Sequence, residues 1–251
     1  MNLTSGRSEP FGRSISLNLA FVILLDCSKP EELWSTLEKS LTAAKSAVMA
    51  ATKSINEEDR ALMEAQAWAR VGENHKDKDM ITPFPLPLVI MLGMYDKFQD
   101  LDNETKQIIC KTARFVAHNQ GATLQSFSAK MENLIIRGRA CLSSLLFGTN
   151  PSKALSVDPS KPLLVPFGTD SFESIGVPTN DRSHMATAST PWEFWKASYT
   201  SVFPQKEEAT SVPEDPSNDP QYAEQTVDAV RELKSQELDR YLKYKETSAN
   251  A

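Results

Sequence analysis

A rhythm constrains this chain more than any single residue: an apolar run, a short turn and an amphipathic helix, repeated three times in succession. The first unit opens with LNLAFVILLD (17–26), whose unbroken apolarity predicts a strand covered on both faces. Ser28-Lys29-Pro30-Glu31 then reads as a capping box in which an early proline is tolerated. Leu33, Leu37, Leu41, Ala44 and Val48 follow at helical spacing. The second unit is PLPLVIML (85–92), entered through prolines that suit the first residues of a strand. Asp102 or Asn103 caps its helix, which carries Ile108, Ile109, Thr112, Phe115 and Val116 and stops at Gly121. ATLQSF (122–127) is a weaker third strand, and its helix, with Met131, Leu134, Ile135, Leu142, Leu145 and Leu146, ends at Gly148. Right-handed crossovers then require an α/β class with a parallel sheet between helical layers.

Around these units the pattern loosens. Residues 56–82 are charged and irregular and read as a helical or loose surface insertion. KPLLVPF (161–167) predicts one more strand, at an edge because Pro166 interrupts it. Thr190-Pro191-Trp192-Glu193 caps a short helix bearing Trp192, Trp195, Tyr199, Val202 and Phe203. Residues 204–220 hold four prolines and five acids against one lysine, the composition of a solvated linker. Asp219-Pro220 opens a last helix to about Lys245, with a stripe of Val227, Val230, Leu233, Leu238, Tyr241 and Leu242. The expected organisation is a flexible leader (1–14), an α/β domain with peripheral elements (15–203), a linker (204–220) and a C-terminal helix and tail (221–251).

Composition excludes several function classes. At 251 residues and 40% hydrophobic the chain can bury a core. A net charge of −6 without a basic stripe argues against nucleic acid as a partner. Cys27, Cys110 and Cys141 are odd in number and far apart, and His75, His118 and His184 are equally scattered. No metal-ligand spacing or disulfide framework follows, so no metal is expected and a reducing compartment fits. Arg7 and Arg13 precede Leu17–Leu25 as in a signal peptide, but Asn18 interrupts the run and Asp26 ends it. The run is also far short of a bilayer span, so no membrane insertion is expected.

Two loops carry the binding chemistry. Gly93-Met94-Tyr95-Asp96 and Ser128-Ala129-Lys130 follow the second and third strands, where α/β sheets place ligands. In GTPase-type domains these loops read a guanine base, with a carboxylate on the guanine edge and backbone N–H groups on its carbonyl. Of the [NT]-K-x-D pattern only Asp96 is present, and Asp96 as a strand terminator or turn cap is the competing reading. Ser128 as a plain helix N-cap competes likewise for the second loop. Phosphate binding needs a glycine loop, a lysine and a helix N-terminus. The chain has no G-x-x-x-x-G-K-[ST], and none of its 9 glycines precedes a lysine. Asp96, Ser128 and Lys130 are therefore vestigial base-side positions, with no cofactor, no metal, no catalytic residue and no enzymatic activity expected. For Trp192, Trp195 and Tyr199 core packing competes with a role as partner anchors. For Val227, Val230, Leu233, Leu238 and Tyr241 docking in a partner groove competes with a solvated helix.

DCSKPEELW (26–34), PFPLPLVIMLGMYDKFQD (83–100), ICKTARFVAHNQGA (109–122), KPLLVPFGTDSFESIG (161–176), STPWEFWK (189–196) and DPQYAEQTVDAVRELKSQEL (219–238) together resemble the dynein light intermediate chain family, in its cytoplasmic dynein-2 branch. The similarity runs in order from about residue 15 to residue 240. It implies a Ras-like, P-loop GTPase-type three-layer fold, incomplete because the family's P-loop strand and two switch strands precede the segment matching 17–26. Met94 stands where the family commonly has lysine. The resemblance implies a non-catalytic motor subunit, bound to the dynein-2 heavy chain and other dynein-2 subunits. Its implied work is retrograde intraflagellar transport and the building and upkeep of cilia. The implied location is cytoplasm, cytoskeleton and cilium, including axoneme and basal body. A GTP-binding protein or small GTPase with a degenerate pocket, and a generic protein-interaction module, are the alternatives. Without the P-loop strand, the strand at 19–25 is expected to be a sheet edge and an association hazard.

Overall fold

The computed structural model describes residues 19–53, 55–72, 74–149, 154–178, 189–206 and 224–249. The expected leader, His184 and most of the expected linker lie outside them. The apolar runs become strands β1 (Phe21–Asp26), β2 (Leu88–Gly93) and β3 (Thr123–Ser126), joined by the two-residue β4 (Leu164–Val165). They form one sheet in the order β1-β2-β3-β4. β1 and β2 pair in parallel with Ile23 opposite Ile90, and β2 and β3 in parallel with Ile90 opposite Leu124. β4 runs antiparallel to β3, so the sheet is mixed and not wholly parallel. The register aligns Ile23, Ile90 and Leu124 on one face and Leu24, Met91 and Gln125 on the other.

The first face holds the core. Ile23, Leu25, Ile90, Leu92 and Leu124 pack with Leu33, Trp34, Leu37 and Leu41 of α1 (Pro30–Ala51) and with Ile109, Phe115 and Val116 of α4 (Asn103–Asn119). Each large aliphatic side chain so buried contributes about 1.5–3 kcal/mol. Asp102 caps α4 by accepting from the Thr105 N–H at 2.8 Å, as its position predicts. The box expected at Ser28–Glu31 does not form. Lys29 is the N-cap of α1 and makes no side-chain cap bond, because Ser28 donates its N–H and hydroxyl to Asp26 Oδ1. Pro30 supplies the preset first turn instead.

Expectations for two other segments need correction. Of the helical and loose alternatives for the charged stretch after residue 56 the helical one holds, but it is not confined to the surface: Asn56 caps α2 (Glu57–Val71), which buries Met63, Ala67 and Val71. β1 is not covered on both faces. Val22 and Leu24 are 43% and 59% exposed, whereas every residue of β2 is buried. β2 lies between two strands, while β1 is at the sheet's edge, as expected. An apolar run therefore marked a strand correctly without telling how many of its faces are covered.

α5 (Glu132–Phe147) follows β3 and buries only Leu134 and Gly138. A short α6 (Phe172–Ile175) precedes α7 (Pro191–Val202), capped by Thr190, whose Oγ1 accepts from the Glu193 N–H at 3.2 Å. Arg114 of α4 donates Nε and Nη2 to the two carboxylate oxygens of Asp170, at 2.8 and 2.6 Å, and Nη2 also reaches Ser174 Oγ. Both partners are buried, so deleting one strands the other charge, at a cost of about 3–5 kcal/mol. Contacts divide the chain into a unit ending at Lys206 and a second unit from Glu207. Lys206 pairs with Glu31. The second unit is represented by α8 (Gln225–Ala249).

Candidate functional site

Parallel neighbouring strands end at the same edge, so the loops after β2 and β3 meet. Tyr95 donates its N–H to the Phe127 carbonyl at 3.1 Å, and Phe127 its N–H to the Leu92 carbonyl at 2.7 Å. Met94 turns the chain through a left-handed conformation, φ 58°, into the one-turn helix α3 (Tyr95–Phe98). That turn aims Asp96 at the second loop.

Asp96, Ser128 and Lys130 converge there. Ser128 Oγ donates to Asp96 Oδ1 at 2.7 Å, and Lys130 Nζ reaches Asp96 Oδ2 at 2.9 Å. The Lys130 N–H in turn donates to Ser128 Oγ at 3.2 Å. Lys130, then Ser128, hold the Asp96 carboxyl below the usual carboxylate range. Both carboxylate oxygens thus already accept from the chain's own donors. A guanine edge would have to displace both Lys130 and Ser128 before it could pair. Asp26, at the end of β1, likewise accepts locally from Ser28.

The other sequence-predicted residues separate cleanly. Trp195 stacks on Phe115 with ring centroids 4.7 Å apart, and Trp192 lies 5.3 Å from Trp34. Tyr199 donates its hydroxyl to the Pro30 carbonyl at 2.9 Å. Of the two readings of this helix, core packing and partner anchor, the burial of Trp195 and Tyr199 fits the first: they fasten α7 to α1 and α4. Trp192 is half-buried against the same cluster. On α8, Val227, Val230, Leu233, Leu238, Tyr241 and Leu242 are all exposed.

Reading the sequence missed two features. A cavity of about 580 Å³ on the second face of the sheet is lined by Gln125, Ile136, Cys141, Leu164 and Phe167, with Arg70 from α2. Gln125 is 1% exposed, and among the described residues neither its amide nitrogen nor its oxygen has a partner. His75 and His118, scattered in sequence, lie with ring centroids 5.1 Å apart and close around Asp77. Burial raises all three thiols, Cys110 to about 12, which leaves them poor nucleophiles. Among the described residues no helix is long and apolar enough to cross a membrane.

No protein-family model matches the chain. It is 40% identical over 242 residues to cytoplasmic dynein 2 light intermediate chain 1 of Bos taurus, covering 93% of this chain and 68% of that protein. The chain belongs to the dynein light intermediate chain family. The Rattus norvegicus and Homo sapiens proteins of the same name are each 42% identical over 229 residues, 88% of this chain. The chain spans 65% of the length of those two relatives. The crystal structure of the dynein light intermediate chain's conserved domain matches with TM-score 0.51 at 21% identity, covering 77% of this chain and 74% of that one. The architecture is a Ras-like α/β fold with a four-stranded, mostly parallel sheet.

Proposed function

We propose that the chain is a non-catalytic accessory subunit of the cytoplasmic dynein-2 motor that binds the heavy chain. In that role it supports retrograde intraflagellar transport and the assembly and maintenance of cilia, in the cytoplasm, on the cytoskeleton and in the cilium. The observation that carries this reading is the similarity to cytoplasmic dynein 2 light intermediate chain 1 along 93% of the chain. The internal closure of Asp96 by Ser128 and Lys130 supports a role that does not depend on nucleotide. The apolar stripe of α8 is the docking element in this reading. Its side chains are 46–62% exposed, and burying each in a partner groove contributes up to about 1.5–3 kcal/mol.

The test is a pull-down of a dynein-2 heavy-chain tail by the full chain, repeated with Val230→Asp and Leu233→Asp. Recovery by the native chain is expected, and its loss in the variants would assign the contact to α8. Failure of the native, folded chain to recover the tail would favour an interaction module unconnected with dynein. Calorimetric titration with GTP and GDP in Mg²⁺ is expected to give no heat of binding. Micromolar affinity would restore the reading as a GTP-binding protein.

A further inference from the structure

The cluster at His75, Asp77 and His118 lies at the opposite end of the sheet from Asp96. α4 follows β2 and returns to the start of β3, so its last turn sits at the strands' amino edge. There the Thr82 N–H donates to the Asn119 carbonyl and the Phe84 N–H to the Gln120 carbonyl. His118 stands in this last turn, and His75 and Asp77 come from the loop after α2. One donor atom from each residue lies within 4.8 Å of the other two.

The hydrogen bonds define which lone pairs are available. His75 Nε2 is 3.0 Å from the Asp170 carbonyl, which can only accept, so Nε2 carries the proton. Nδ1 is then the bare nitrogen, and it faces the Asp77 N–H at 3.1 Å. A carbonyl that holds one ring N–H fixes the tautomer that presents the other nitrogen as a ligand, and here an ion would displace the bond that Nδ1 accepts from the Asp77 N–H. His118 Nε2 meets Asp77 Oδ2 at 2.8 Å, and Asp77 Oδ2 also accepts from the Phe172 N–H at 2.9 Å. His118 and Asp77 are buried and His75 is half-buried, which leaves solvent an approach from the His75 side.

We propose that His75 Nδ1, Asp77 and His118 Nε2 form a binding site for a divalent transition-metal ion of the zinc class. Two imidazoles and one carboxylate suit Zn²⁺, Co²⁺ or Ni²⁺, whereas Mg²⁺ and Ca²⁺ require oxygen ligands throughout. On binding, the His118 proton moves from Nε2 to Nδ1 by exchange with water, and the ion takes the place that proton held against Asp77. The tautomer changes and no net proton is released. At metal–ligand distances of about 2.0–2.2 Å neighbouring donors sit about 3.3 Å apart, so His118 Nε2 and Asp77 Oδ2, 2.8 Å apart without the ion, must part slightly, while the loop bearing His75 brings Nδ1 to the same spacing. Water fills the fourth position. The ion would tie the loop after α2 to α4 and, through Asp170 and Phe172, to the segment that opens α6.

The test uses the full chain freed of metal with a chelator and then titrated with Zn²⁺ by calorimetry and with Co²⁺ by visible absorption. One ion per chain and the intense visible bands of tetrahedral Co²⁺ are expected. Asp77→Asn keeps the shape of the side chain, and His75→Gln alters a half-buried loop residue, so both test the site without emptying the core. Each should weaken Zn²⁺ binding by at least about tenfold at unchanged far-UV circular dichroism. Failure of the folded native chain to bind Zn²⁺ would overturn the proposal. So would binding that persists undiminished in both variants, since the ion would then sit elsewhere.

Discussion

Gly168 and Gly148 adopt the same left-handed backbone, φ +64° and +65°, in opposite surroundings. Among the described residues a Cβ built on Gly148 meets nothing within 4 Å. On Gly168 it falls 1.9 Å from the Val71 carbonyl oxygen and 2.7 Å from the carbonyl carbon, at the last turn of α2. An L-residue in this conformation costs about 1–2 kcal/mol, and alanine recovers part of that, about 0.4–1 kcal/mol, by restricting the unfolded chain. Gly148→Ala should therefore lose about 1 kcal/mol or less. Gly168→Ala carries the same conformational cost plus a collision with backbone, which must open by more than 1 Å to reach the 3.0 Å limit of real contacts. Overpacking of that kind adds about 1–3 kcal/mol, for a total of about 1–4 kcal/mol. Urea unfolding followed by far-UV circular dichroism measures both, with the difference read from midpoints at constant slope. In a melt each kcal/mol corresponds to about 2–4 °C at this chain length. If the two variants lose the same stability to within about 0.5 kcal/mol, the turn at 166–169 does not rest on the end of α2.

The unpartnered amide of Gln125 makes Gln125→Leu a stabilising change of about 1–2 kcal/mol in urea unfolding, and a loss of stability would mean the amide meets a partner in solution. In the native chain at pH 8, half-buried Cys141 should react with a thiol reagent well before Cys27 and Cys110, and in urea all three should react. Leu24→Lys places a charge on the exposed face of edge strand β1, and light scattering should show less aggregation at unchanged melting temperature. The folded-state carboxyl of Asp96 lies below its unfolded value near 3.8, so its contribution is complete above that pH and fades as pH falls through the folded value. Asp96→Asn should accordingly flatten the acid limb of a stability-against-pH curve.

Features written within a few residues of one another were legible in the sequence. Apolar runs with β-branched residues marked β1, β2 and β3, and Asp102 and Thr190 announced the caps of α4 and α7, because a cap bond spans only three residues. The edge position of β4 followed from Pro166, which cannot donate to a ladder. Asp96, Ser128 and Lys130, singled out in the sequence in the loops after two successive strands, lie together because two parallel strands with helical crossovers leave their following loops side by side.

Tertiary structure decided what periodicity leaves open. A run of apolar residues reads alike whether one face or two is covered, so only the sheet order exposed Val22 and Leu24 while burying all of β2. Aromatic spacing on α7 is identical for a core helix and a docking helix, and the packing of Trp195 on Phe115 chose the core. The approach of His75 to His118, and the enclosure of Gln125 without a partner, depend on how elements distant in the chain are brought together. Local chemistry specifies the elements, but contacts between them depend on packing all of them at once, which no short stretch of sequence encodes.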